Sequence, residues 1–105
     1  MREFLSLRTI EKFMPMMEAR HVSLVARSER GFLSAYEKAG GRPRGLTPEW
    51  WKKREGFIKR HMAQVVANDE PLYDERGRPT RRHLALIAWA FTPDADGVRA
   101  LARRL

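Results

Sequence analysis

The chain has 105 residues, 43% of them hydrophobic, with 21 Lys and Arg against 13 Asp and Glu, three His, no Cys and a formal net charge of +8. This size fits one helical domain over residues 1–105, able to bury a single core without covalent staples, and the missing cysteines exclude disulfides, thiolate zinc sites and a cysteine nucleophile. The longest apolar run, residues 84–91, is eight residues, far short of the ~20 a membrane helix needs, and Glu3, Arg8, Glu11 and Lys12 interrupt any leader-like pattern, so a cytoplasmic protein that meets no membrane is expected.

In chain order, Phe4, Leu7, Ile10, Met14 and Met17 recur at helical steps, and Pro15 is expected to end or kink that helix. A second helical pattern runs from about Met16 to Ala39, weakened at Ser28, Glu29 and Gly31, so two helices or one bent helix are expected before the Gly40-Gly41 stop. Residues 40–45 read as an irregular basic loop. Thr47-Pro48-Glu49 combines an N-cap, a first-turn proline and an acid, opening a helix to about Asn68 with Trp51, Arg54, Ile58, Met62 and Val65 along one seam. Lys52, Lys53, Lys59 and Arg60 fall largely on other faces. Residues 71–79 carry turn chemistry; a very short hairpin near 72–79 is weighed slightly below a plain loop. Thr80 caps a helix from about Arg81 to Phe91, apolar on nearly every side and so the most buried of the set. Thr92-Pro93-Asp94 repeats the cap-and-proline start before a short terminal helix striped by Val98, Leu101, Ala102 and Leu105. The expected fold class is all-α, a compact single-domain bundle of five or six short helices.

The positive charge is clustered. Residues 38–60 sum to +6 and residues 76–82 to +4, while the acidic turn 61–75 sums to −4 and each terminal segment to only +1. Sixteen of the 21 cations are Arg, whose planar fork suits phosphate, although a GC-rich genome explains that ratio equally well. Trp50 and Trp51 stand beside Lys52, Lys53 and Arg54; one indole is expected in the core and the other is open to stack on a base or meet a protein. Arg78-Pro79-Thr80-Arg81-Arg82 has the chemistry of a phosphate-binding helix start, with ordinary capping by Thr80 as the competing explanation.

All three His share one context, Arg-His followed by apolar residues, at His21, His61 and His83. Partly buried rings at helix edges are the first reading, phosphate-facing Arg-His pairs the second, and a three-His metal site the third; Glu18 and His21 match the Glu-x-x-His step of di-metal bundles, but no second copy exists. Glycine-rich nucleotide loops and zinc-protease motifs are absent. Asp69-Glu70 and Asp74-Glu75 read as solvated turn pairs. No enzyme activity, metal or cofactor is therefore expected.

These observations point to a small basic protein that binds nucleic acid, DNA or RNA, through its phosphate backbone with low sequence selectivity. The expected contact residues are Arg42, Arg44, Trp50, Lys52, Lys53, Lys59, Arg60, Arg78, Thr80, Arg81 and Arg82. The alternative is a protein-interaction or assembly module whose basic face meets an acidic partner, which a contiguous exposed patch at Trp50, Trp51, Met14, Met16 and Met17 would favour.

Overall fold

The computed structural model describes residues 3–105. They form α1 (Leu7–Ala19), α2 (Phe32–Lys38), α3 (Pro48–Asn68), α4 (Arg81–Ile87) and α5 (Ala95–Arg104), with a 3-10 turn at Pro43–Gly45 between α2 and α3. No strand is present among the described residues; the 71–79 segment makes a single antiparallel bridge between Tyr73 and Pro79. The all-α class is as expected from the sequence.

Four helices start in the same way. Ser6, Thr47, Thr80 and Asp94 each accept from the backbone N–H three residues on, at Thr9, Trp50, His83 and Gly97, which satisfies one orphan donor of each first turn. The last of these corrects the sequence reading, because Asp94 rather than Thr92 is the cap of α5. Helix ends follow a common rule as well. His21, Gly40, Asp69 and Ala90 all have positive φ, and the residue after each donates to the carbonyl five positions back, at Met17, Tyr36, Val65 and Leu86. This is the Schellman stop, with glycine at only one of its four left-handed positions.

Three expected boundaries change for physical reasons. Pro15 lies inside α1 and does not end it; Ile10, Phe13 and Met17 are buried on both sides of the proline, so packing outweighs the lost backbone bond. The pattern over 16–39 yields one short helix, α2, instead of two or one bent. Positive φ at His21 and Ser23 turns the chain out of α1, and residues 20–31 form a loop that still buries Val22 and Ala26. α4 stops at Ile87, four residues early, because Ala90 adopts the left-handed conformation.

That turn has a tertiary cause. Arg54, on the apolar seam of α3, is 0% exposed. Its Nε donates to the Trp89 carbonyl at 2.8 Å and its Nη2 to the Ala90 and Glu3 carbonyls, each at 2.9 Å. The guanidinium lies 3.6 Å from the centre of the Phe4 ring. One side chain thus joins α3 to the N-terminal segment and to the turn after α4. The Ala90 carbonyl also accepts from Leu5 N at 2.8 Å.

α4 sits between α1 and α3 and packs on both, and His83, Leu84, Leu86 and Ile87 are all buried, as the apolar run implied. Close approach sets one glycine: a Cβ on Gly31 would run into the backbone carbonyl oxygens of Val25 and Ala26. Gly31→Ala is expected to destabilise by about 1–3 kcal/mol through overpacking. At Gly40, φ is +69° but a Cβ would meet nothing, so Gly40→Ala should cost only ~1 kcal/mol of left-handed strain. Urea midpoints of the two variants check that order.

Candidate functional site

α3 supplies the centre of the candidate surface. Exposed Lys52 and Lys53 follow its capped first turn, and one and two turns later come Gly56, Phe57 and Arg60. With Glu49 and Trp89 these residues line an open cavity of about 490 Å³. Lys53 Nζ lies 4.8 Å from the centre of the Trp50 ring, a favourable cation–π position. The cations stand beside a column of rings: Phe32 stacks on Trp89 at 5.0 Å, Trp89 on Phe57 at 4.7 Å and Phe57 on His61 at 3.9 Å, with interplanar angles of 22°, 18° and 23°.

Phe57 and Trp89 also line a second open cavity, about 450 Å³, shared with His21 and residues 23–26 of the loop after α1. Its rim is apolar, with Leu24 62% and Val25 80% exposed. The residues expected to mark a protein-docking patch lie elsewhere and are more covered. Met17 is fully buried, while Met14, Met16, Trp50 and Trp51 are half-buried against the core. Trp51 spends its indole N–H on the Pro43 carbonyl at 3.2 Å.

The remaining sequence-predicted residues are divided. Arg42 and Arg44 are exposed around the 3-10 turn, and Lys59 is exposed on α3. Arg82 joins the α3 face: it pairs with both oxygens of Glu70, at 3.0 and 3.2 Å, and its Nη1 donates to His61 Nδ1 at 2.9 Å. Arg78 turns to Asp74, Nε to Oδ2 at 3.2 Å, and with Arg20 lines a different cavity against Met16 and Leu84. Arg81 donates to the Arg20 carbonyl. Thr80 accepts from His83 N at 3.4 Å and donates to the Pro71 carbonyl at 3.0 Å, so its hydroxyl serves the fold at the start of a seven-residue helix.

The three His do not converge. His21 and His61 border the same cavity, whereas His83 is 0% exposed. His83 Nδ1 lies 2.8 Å from the Leu72 carbonyl and Nε2 lies 2.6 Å from Thr92 Oγ1. A carbonyl only accepts, so the proton sits on Nδ1 and the Thr92 hydroxyl donates to Nε2. Asp94 N donates back to Thr92 Oγ1 at 3.0 Å, and the Tyr73 hydroxyl donates to the Asp94 carboxylate at 2.7 Å. Burial lowers the pKa of His83, and burial together with Arg82 and Arg60 lowers that of His61. Among the described residues no group of three or more His, Asp or Glu is placed to hold a metal.

One cluster escapes a reading by segment. Arg8 and Lys12 on α1 and Arg99 and Arg103 on α5 line a common groove of about 520 Å³. Each pair has i,i+4 spacing, which places like charges side by side on its helix. Arg99 also pairs with Glu3, and Lys12 donates to the Leu105 carbonyl at 3.3 Å. Net charge over each terminal segment is only +1, and that average hides four cations brought together by helix packing. The repeated i,i+4 cation pairs were the available signal.

Among the described residues no helix is long and apolar enough to cross a membrane. Comparison with known proteins finds no matching family model, no matching curated protein and no matching solved structure.

Proposed function

We propose that the protein binds nucleic acid through its phosphate backbone, with little selectivity for sequence. The observation that carries this reading is the cavity in which Lys52, Lys53 and Arg60 surround Phe57 and Trp89. Three cations with one acid, Glu49, make an electrostatic trough for a polyanion, and the adjoining apolar wall limits their hydration. Exposed Lys59, Arg42 and Arg44 extend the positive character of this part of the chain. The four-cation groove between α1 and α5 adds support for an anionic partner.

The test is titration of labelled oligonucleotides over a range of salt concentrations. Lys52→Glu/Lys53→Glu/Arg60→Glu is expected to weaken binding at least about tenfold near 0.1 M salt and to flatten the dependence of log K on log salt by about 2–3 units. All three side chains lie at or near the surface, so thermal stability should change little. Unchanged affinity in the triple variant, or no salt-sensitive binding by the wild type at low ionic strength, rejects the reading.

A second reading is supported by the exposed Leu24 and Val25 beside this basic trough. Apolar side chains rimmed by cations suit an acidic protein segment. Size-exclusion light scattering with and without an acidic partner separates this from nucleic-acid binding.

A further inference from the structure

We infer that the apolar cavity between loop 21–26 and the ring column takes an unpaired nucleobase, so that the favoured ligand is a single strand whose phosphates run along Lys52, Lys53 and Arg60. This rests on the nucleic-acid reading above and adds to it a second site and a ligand class.

Three observations meet in this cavity. The first is its planar wall. The rings of Phe32, Trp89, Phe57 and His61 form a near-parallel stack, and among the described residues no further ring continues it beyond His61. Phe57 and Trp89 border both the cationic trough and the apolar cavity, so one aromatic ridge separates a place for phosphate from a place for base. A single strand offers those two groups side by side at every nucleotide, whereas a duplex keeps its bases paired and stacked within.

The second is a hydrogen-bond donor on a residue that lines the cavity, His61. Arg82, held by both oxygens of Glu70, donates to His61 Nδ1. An Nδ1 that accepts leaves the proton of the neutral ring on Nε2. That Nε2–H has no partner among the described residues, and it suits the ring nitrogens and exocyclic oxygens of a base. The lowered pKa of His61 agrees with a neutral ring near pH 7.

The third is the apolar rim. Leu24 and Val25 are held out in water by a loop with its own bonds: Arg27 N to the Ser23 carbonyl at 3.0 Å, Arg27 Nε to the Val22 carbonyl at 2.9 Å and Ser28 Oγ to the Val25 carbonyl at 2.6 Å. These two adjacent apolar side chains border the same cavity as Phe57, His61 and Trp89. The cavity is open to solvent on one side, and its volume of about 450 Å³ leaves room for a planar ligand against the ridge.

The experiment compares an intact deoxy-oligonucleotide of about twelve nucleotides, a length within the usual site sizes, with an abasic strand carrying the same number of phosphates. Wild-type protein is expected to bind the intact strand about tenfold or more tightly than the abasic one, the size of one base–aromatic contact. Leu24→Ser/Val25→Ser should bring the intact strand down to the abasic level while leaving abasic binding and the melting temperature unchanged. Lys52→Glu/Lys53→Glu/Arg60→Glu should weaken both strands alike. Equal binding of intact and abasic strands by the wild type overturns the base pocket, preserves the phosphate reading and leaves the Leu24–Val25 face to a protein partner. A base preference that survives in Leu24→Ser/Val25→Ser overturns the pocket by putting the bases elsewhere. Failure to bind either strand overturns both inferences.

Discussion

Replacing Arg54 with Ala is expected to destabilise the protein by at least about 3 kcal/mol, a large part of the ~5–15 kcal/mol that holds a domain of this size together. The side chain is wholly buried and binds the carbonyls of Glu3, Trp89 and Ala90. Truncation removes the guanidinium donors; the Ala90 carbonyl keeps Leu5 N, while the Glu3 and Trp89 carbonyls cost roughly 1–3 kcal/mol each where water does not reach them, and a cavity opens against Phe4. At ~4–8 °C per kcal/mol for small domains, the melting temperature should fall by more than about 10 °C. Arg54→Lys discriminates between charge and geometry. An ammonium keeps the charge but lacks the planar fork that spans three carbonyls, so it should recover less than half of the loss. Thermal and urea unfolding followed by circular dichroism read both variants. A lysine variant as stable as the wild type would sink the three-carbonyl clamp as the source of the effect.

Arg54 also shows where local sequence information stops. Helix starts were legible because a cap is a contact three residues long: Thr47 and Thr80 bond the N–H groups that their spacing implies. Helix ends were legible at Gly40-Gly41 and at about Asn68, but not after α1 or α4. Three of the four left-handed stops fall on His21, Asp69 and Ala90; Asp and His tolerate that conformation without marking it, and Ala disfavours it. At Ala90 the turn aims two carbonyls at an arginine 36 residues away in sequence, and a chain read in short windows cannot see that partner. The same holds for α1, where buried residues on either side carry the helix through Pro15.

The candidate site divides along the same line. Lys52, Lys53 and Arg60 were readable as exposed because α3 is long and its apolar seam is regular. Arg78, Arg81 and Arg82 carry as much charge, yet their contacts lie within the chain. Glu70 and Asp74, read as solvated turn acids, are the partners of Arg82 and Arg78, and the Arg20 carbonyl accepts from Arg81. The second basic segment therefore reaches α3 through Arg82, which bonds His61 just past the end of the first, while Arg78 and Arg81 turn elsewhere. Aromatic residues behaved in the opposite way. Trp50 and Trp51 drew attention by adjacency, while the ridge is built from Trp89, Phe57 and His61, which come from one helix, α3, and the turn after α4.

Acid is expected to destabilise the protein in two separate windows, the first owned by histidine. His83 is buried as the neutral tautomer between the Leu72 carbonyl and the Thr92 hydroxyl, and burial holds its pKa below the ordinary 6.5. The unfolded chain therefore takes up a proton that the folded one resists. Stability is complete above about pH 6.5 and falls as the pH drops below it, by up to ~1.4 kcal/mol per pH unit per group until the folded ring itself protonates. Protonation would put a hydrogen on Nε2 facing Thr92 Oγ1, so the hydroxyl would have to stop donating to the ring and accept from it instead. His61 contributes in the same direction through burial and its cationic neighbours Arg82 and Arg60. The carboxylates act lower down. Asp94, Glu70 and Asp74 all have depressed pKa values, through the Tyr73 hydroxyl, the Arg82 guanidinium and the Arg78 backbone respectively, and their stabilisation disappears only as pH falls below the ordinary carboxylate range. His83→Gln should be less stable than wild type at pH 7.5, because two buried bonds are disturbed. The gap should narrow steadily between pH 7 and pH 5, since the variant lacks the titrating ring, and His61→Gln measured alongside apportions the remainder. Urea unfolding at half-unit pH intervals gives the slopes. A gap between wild type and His83→Gln that stays constant over that range would mean that His83 protonates equally in both states, and the buried neutral imidazole would lose its role in the acid response.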